Sequence, residues 1–357
     1  MADEPAVTGM AARGADPYHI AAQSAYADES SYVLNRADTF AVMDRWGDAR
    51  PDSHRSYGFY RRDMRYLSRL QAYLNGVRPV LLTSTVSDDN LTLIVDLTNP
   101  EGEDLPKDAL HLRKRAAIHA GTCEIAYEIA NYDVAAHEVE LAIGMDADFR
   151  DIFEVRGMQR DSEAPPPVRE PSEDGFCFDY TGLDGVRRTT LLRWSRTPDE
   201  RGAHSARFRW KLEPNASASV VATLSFIEHG FDDGDDDAGT TRTRLVQASR
   251  WHDLLPRIET SCRPLDLWLR RSTADLSSLI ADTPQGPYPN AGVPWYNTAF
   301  GRDGLITALQ LLWAMPELAA GVLRFLAAMQ ASGEDAAHDA EPGKIVHETR
   351  VGEMANL

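Results

Sequence analysis

The feature that most constrains the fold is a change of hydrophobic period near residue 230. From about Ser31 to Glu228 apolar and polar residues alternate. Leu91, Leu93, Val95 and Leu97 share one face of LTLIVDLT, with Thr92, Asp96 and Thr98 opposite. Cys123, Ile125, Tyr127 and Ile129 repeat the pattern, as do Val139, Leu141, Ile143 and Met145, and then Ala206, Phe208, Trp210 and Leu212. Successive side chains of a strand point to opposite faces, so such runs are half-buried strands. Closely spaced and joined by Asn, Gly, Asp and Pro turns, they predict a large antiparallel β-sandwich. APPPVREPSEDG, around Pro165 to Gly175, is expected to be a long surface loop.

FDDGDDDAGT, Phe231 to Thr240, breaks the alternation. It lacks the ligand order and distal Glu of a calcium loop, so a solvated acidic linker is expected rather than a metal site. Beyond it the period becomes helical. Leu265, Leu269, Leu276 and Ile280 fall on one face, Leu305, Leu309, Leu312 and Trp313 on a second, and Leu318, Val322, Phe325, Leu326 and Met329 on a third. Pro316, between the last two, ends one helix and opens the next. The result is an αα-hairpin so apolar that it requires further helices to pack against. The expected organisation is a β-sandwich over 18–230, an acidic linker and connecting segment over 231–260, and a helical domain over 261–357.

Charge narrows the function. Lys plus Arg is 37 and Asp plus Glu 55, a net charge of −18, which repels nucleic acid and anionic lipid and suits a neutral or cationic small ligand. Cys123, Cys177 and Cys262 are far apart without a CxxC pair, which argues against a zinc site and a disulfide framework. His54, His111, His119 and His137 have no metal-ligand spacing. Acidic residues stud the first thirty positions, and Pro316, Glu317 and Arg324 interrupt the most apolar stretch, Gly304 to Gln330. A cytoplasmic protein with no signal peptide, membrane span, metal or cofactor is expected.

One segment carries chemistry. In PYPNAGVPWYNTAFGRDGLITALQLLWAM, Arg302-Asp303 stands between Gly301 and Gly304 at the mouth of an apolar helix. Asp303 in the first turn fits an N-terminal cap, with Arg302 as a surface partner. Trp295, Tyr296 and Phe300 crowd the same pair, and Pro287, Pro289 and Pro294 stiffen the approach. Aromatic platforms with Asp and Arg groups also suit the apolar faces and vicinal hydroxyls of a sugar. Spacing leaves both readings open. In GFYRRDMRYLSRL, Arg61, Arg62, Arg65 and Arg69 form the most basic local patch. Arg62 and Arg65 are expected to pair with Asp63 and other carboxylates, and the sharper alternative is a role in holding the β-domain against the helical one.

GVPWYNTAFGRDGLITALQ resembles the first active-site segment of bacterial glycogen-debranching or amylo-α-1,6-glucosidase-like proteins, which belong with the (α/α)6-barrel glycoside hydrolases. PGKIVHETRVGEMANL, Pro342 to Leu357, resembles their next active-site loop. SYVLNRADTFAV, GFYRRDMRYLSRLQAYLNG and DADFRDIFEVRG resemble their N-terminal β-domain. The resemblance implies that Arg302 and Asp303 grip the nonreducing-end glucose, that Trp295 and Phe300 line the pocket, and that Lys344, His347 and Glu348 sit on its rim. Gly304 departs from the Ser of many relatives.

The implied fold is a mainly β, antiparallel N-terminal sandwich followed by the first helices of an (α/α)6 barrel, cut short. Twelve helices at roughly 12 residues each, plus loops, need more chain than lies beyond the linker. Inverting hydrolysis needs two carboxyl groups about 6.5–9.5 Å apart. In the family both lie further along, and Glu348 and Glu353 are expected to be a polar rim and a helix cap, so no catalytic residue is assigned. The implied activity is at α-glucan branch points. The alternatives are a small α-glycoside such as mannosylglycerate, or a noncatalytic carbohydrate-binding protein.

Overall fold

The computed structural model describes residues 31–51, 56–102, 105–160, 162–172, 175–230, 256, 258–336 and 338–355. The acidic stretch 231–240, His54 and the first thirty residues lie outside them. The alternating segments form antiparallel strands. β1 (Tyr32–Arg36), β2 (Thr39–Met43), β3 (Gly58–Arg61) and β4 (Met64–Leu67) make a four-stranded meander. The chain continues through β5 (Arg69–Leu74), β6 (Val80–Val86), β7 (Thr92–Thr98), β8 (Leu110–His119), β9 (Thr122–Asn131) and β10 (His137–Asp146). After the one-turn helix α1 (Ile152–Val155) come β11 (Val168–Pro171), β12 (Gly175–Thr181), β13 (Arg187–Trp194), β14 (Glu200–Gly202), β15 (Ser205–Leu212) and β16 (Ser217–Glu228). They form an eight-stranded sheet, β11-β12-β13-β16-β9-β8-β7-β6, and a four-stranded one, β14-β15-β10-β5.

Register explains the core. Leu97 pairs with Leu112 and Leu112 with Ile129, so one row of apolar side chains crosses three strands on the same face. A single buried cluster draws Leu34 and Phe59 from the meander, Leu74, Ile143 and Phe208 from the second sheet, and Leu97, Ile125, Phe178 and Leu224 from the third. The chain is mostly β, in antiparallel sheets.

Two expectations are corrected here. The Pro165–Gly175 segment is not all loop, since β11 pairs with β12 at the edge of the large sheet. An edge strand tolerates Pro171, which has no N–H to donate to a further neighbour. The basic patch does pair with carboxylates, but with those of other segments rather than Asp63. Arg61 meets Asp38 at 3.4 Å, Arg62 meets Glu228 at 3.3 Å, and Arg65 bonds Asp148 at 3.0 Å. Arg62 and Asp63 both have positive φ, 49° and 63°, in the tight turn between β3 and β4. The Asp63 carboxylate bonds instead with Arg350 and Val351 of the C-terminal segment.

The helical period is realised as α2 (Arg263–Leu279), α3 (Gly301–Leu311) and α4 (Pro316–Ala328). The Pro-rich segment between α2 and α3 is a further small antiparallel sheet, β17 (Ile280–Thr283), β18 (Gly286–Gly292) and β19 (Tyr296–Ala299). Ile280 therefore opens a strand rather than closing a helical face. Tyr288 of β18 is buried with Ala308, Val322 and Leu326, 4.6 Å from the Phe325 ring, which is why the segment is ordered against the hairpin. Leu318, Val322 and Leu326 are buried within this chain rather than awaiting further helices, whereas Met329 of the same face is exposed. On α3 it is Gly301, Gly304 and Ala308 that turn inward, while Leu309 is 73% and Trp313 71% exposed. Asn35 Nδ2 donates to Ser278 O at 2.8 Å and Asn297 Nδ2 to Ala37 O at 2.9 Å, joining the two parts of the chain. Among the described residues no helix is long and apolar enough to cross a membrane.

Candidate functional site

β19 delivers the chain to the mouth of α3. Phe300 is the N-cap residue, in extended conformation, and its side chain makes no capping bond. The Tyr288 hydroxyl donates to the Phe300 carbonyl at 2.9 Å. A Cβ at position 304 would overlap that hydroxyl, so Gly304 is required by Tyr288. Burial, and then the nearby Asp303 charge, push the Tyr288 phenol up to about 12.

Asp303 lies in the first turn, as expected, but its carboxylate has no hydrogen-bond donor among the described residues. Its one ion pair is with Arg302 at 3.8 Å, and the two side chains are 42% and 81% exposed. The carboxylate therefore favours the helix dipole without acting as a cap, and its oxygens remain open to an external donor.

The segment from Lys344 onward runs beside β19. Phe300 and Glu348 form an antiparallel bridge, Gly301 N donates to His347 O at 2.9 Å, and Thr349 N donates to Ala299 O at 3.0 Å. This backbone pairing sets His347 and Glu348 beside Phe300 and Gly301, the two residues that precede Arg302 and Asp303. The rings of Tyr296 and His347 meet Phe300 edge-on, at 5.7 Å and 5.9 Å. Lys344 is tied to Asp339 at 2.8 Å. Trp295 packs with the β-domain cluster of Phe40, Tyr57, Tyr60 and Ile152, so Tyr296 is the more exposed aromatic of the loop.

Arg350, Asp151 and Gly352, which the sequence did not single out, hold this arrangement together with Asp63 and Glu353. Arg350 bonds Glu348 Oε2 at 2.9 Å, Asp63 Oδ1 at 3.0 Å and the Trp295 carbonyl at 3.1 Å. Glu348 and Arg350, two apart on an extended segment, share a face, and that spacing is the signal by which their pairing can be found. Asp151 caps α1 by accepting from Phe153 N at 2.9 Å, and its other oxygen accepts from Met354 N at 3.0 Å. Gly352 is held so close that a Cβ would overlap the Asp151 carboxylate. Glu353 is fully buried and accepts from Arg160, Tyr180 Oη and Leu183 N, each at 2.6 Å. It is thus an anchor on the β-domain, and the expectation that it caps a following helix is corrected. Burial pushes the Asp151 carboxyl up to about 6 and raises that of Asp63 against the opposing pull of Arg350.

Two concavities lie elsewhere, on the β-domain. One, of about 420 Å³, is lined by Ser68, Asp146, Asp148, Phe149, Arg160 and neighbours, and the other, of about 550 Å³, by Asn75, Glu140, Trp210 and neighbours. Neither includes the residues around Phe300. Among the described residues no group of three His, Cys, Asp or Glu side chains is arranged to hold a metal.

A model of the N-terminal domain of some glycogen debranching enzymes matches residues 34–223, more than half of the chain. No curated protein matches. Among solved structures, a protein described as a kojibiose phosphorylase from the human microbiome aligns over 84% of this chain and 46% of its own, with 9% identity and a TM-score of 0.55. This chain thus spans under half the length of that protein, and the likeness is one of fold. A bacterial glucoamylase complexed with acarbose aligns over 84% of this chain and 49% of its own, with 11% identity and a TM-score of 0.44.

Proposed function

Since the chain belongs to the family whose model describes the N-terminal domain of some glycogen debranching enzymes, we propose that it is a glycoside-hydrolase-type polypeptide that engages α-glucan branch points in polysaccharide catabolism. In this reading residues 18–230 are the family's β-sandwich, 231–260 an acidic connection and 261–357 the opening of an (α/α)6 barrel. Arg302 and Asp303 hold the nonreducing-end glucose, Trp295 and Phe300 line its pocket, and Lys344, His347 and Glu348 form the rim. A cytoplasmic setting belongs with it, supported by three free cysteines.

The observation that carries the proposal is the Phe300–Glu348 bridge, because it sets two segments 48 positions apart beside the same Arg-Asp pair. The Asp303 oxygens without donors are what a sugar's hydroxyls require. The exposed faces at Leu309 and Trp313 support the barrel, whose further helices would cover them. Glu348 is held by Arg350 and Glu353 is buried among three donors, so neither is assigned as acid or base. A small acidic α-glycoside such as mannosylglycerate remains the second substrate class, favoured by the Arg156 guanidinium beside the aromatic loop, which has no ion pair among the described residues.

The test is calorimetric titration of the purified chain with maltotriose and panose, together with an assay for glucose release from limit dextrin. Saturable binding that Asp303→Ala abolishes, without glucose release, is the expected result. Turnover that Glu348→Gln or Glu353→Gln removes would overturn the assignment of the carboxylates.

A further inference from the structure

Arg156 closes α1 on the β-domain, and its guanidinium lies over two rings of the candidate loop. It stands 5.6 Å from the centroid of Trp295 and 5.7 Å from that of Tyr296. The side chain is half-buried, and among the described residues it makes no hydrogen bond and no ion pair. Its neighbours differ. Arg160 pairs with Glu154 and Glu353, Arg350 with Asp63 and Glu348, and Arg65 with Asp148. Glu154, the carboxylate nearest in sequence, is taken up by Arg160 and by the Asp151 amide.

A guanidinium that has lost part of its water and has no counter-ion carries a desolvation cost that a bound anion offsets. Cation–π contact with the two rings holds the guanidinium at the loop, and its N–H fork is matched to a carboxylate or phosphate. The net charge of −18 does not oppose this locally, because exposed charges are screened beyond about 8 Å at physiological salt.

We propose that Arg156, held on Trp295 and Tyr296, is a binding site for an oxyanion, a carboxylate or phosphate group, adjoining the sugar site. The helical part then grips the sugar while the β-domain selects an acidic glycoside, or a sugar bound beside a phosphate ion. The adjoining sugar contact rests on the function proposed above; the anion site stands on the geometry of Arg156.

Calorimetry on the full chain separates the possibilities, with inorganic phosphate, maltobionate (the aldonic acid of maltose) and maltotriose as probes. At least one of the two anions binds, and Arg156→Gln raises its Kd tenfold or more. Arg156→Lys, which keeps the charge and loses the fork, gives an intermediate value, and maltotriose affinity stays within twofold of wild type in both variants. Phosphate binding alone identifies a free ion as the source, and maltobionate binding identifies a glycoside carboxylate. The proposal is overturned if neither anion binds, if both variants bind it like wild type, or if maltotriose weakens equally. Arg156-dependent phosphate binding with no affinity for either sugar would keep the anion site and remove the sugar reading.

Discussion

Asp63 Oδ1 stands 3.0 Å from Arg350 Nη1, across 287 positions of sequence, with the two side chains only 4% and 8% exposed. The same guanidinium holds Glu348 and the Trp295 carbonyl, so one cation ties a β-domain turn, the aromatic loop and the rim carboxylate together. Two charges removed from water gain little net stability as a pair, but either one alone is costly.

Removing both partners should therefore cost less than the sum of removing each alone. Arg350→Ala and Asp63→Ala are each expected to destabilise by about 3–5 kcal/mol. The double variant should fall short of their sum by roughly 0.5–3 kcal/mol, the coupling of contacting residues. Urea denaturation of the four proteins measures this, and faster amide exchange at Gly301 and Thr349 should report local release of the segment. Strict additivity would show that the pair does not hold the segment.

Asp303 separates a binding role from a capping one. If its oxygens serve a sugar, Asp303→Asn should cost about 1.5–3 kcal/mol of maltotriose binding while its melting temperature stays near wild type. A cap would show the reverse, with roughly 0.5–2 kcal/mol lost from stability and maltotriose affinity unchanged. The absence of any donor to Asp303 among the described residues favours the first outcome.

Interaction range decides which features were legible in the sequence. Alternation at Leu93, Val95 and Leu97 reports local geometry, and the strands are where it places them. The helix at Gly301 and Pro316's position at the start of α4 are equally local. Asp63–Arg350 and Glu353–Arg160 are not legible, because nothing in a linear chain marks a pair whose partners lie hundreds of positions apart. Sheet β17–β19 was hidden by its prolines, which read as loop until Tyr288 is seen buried against Phe325. Leu309 and Trp313 fit a helical period, yet Gly301, Gly304 and Ala308 turn inward, since small residues let α3 approach β18 closely.

Asp151 gives a pH dependence with a definite sign. Its folded value of about 6 lies above the ordinary 3.8, so the folded state binds a proton more tightly than the unfolded chain. Its contribution to stability is therefore greatest below about pH 4, falls as pH rises through 6, and is constant above. Wild type minus Asp151→Asn, which removes the titration, should decline by up to roughly 3 kcal/mol between pH 4 and 7. Urea titrations of both proteins at several pH values test this, and a difference independent of pH would contradict the burial of an ionisable carboxyl there.

The helical hairpin makes the last prediction. Leu309, Leu312 and Trp313 of α3 and its following turn, with Leu323 of α4, are all exposed although each is large and apolar. A side chain of this kind left in water forgoes about 1.5–3 kcal/mol of burial. Several together exceed what soluble monomers ordinarily present. The β-domain buries its core between its own sheets and has no such need. The isolated chain is therefore expected to self-associate through the hairpin at micromolar concentration, seen as concentration-dependent sedimentation. Leu309→Lys combined with Trp313→Ser should restore a monomer with less than about 1 kcal/mol change in stability, because surface positions contribute little to folding. A wild-type chain that sediments as a monomer throughout, or association that the double substitution leaves intact, would show that this face is stable in water and needs no covering helices.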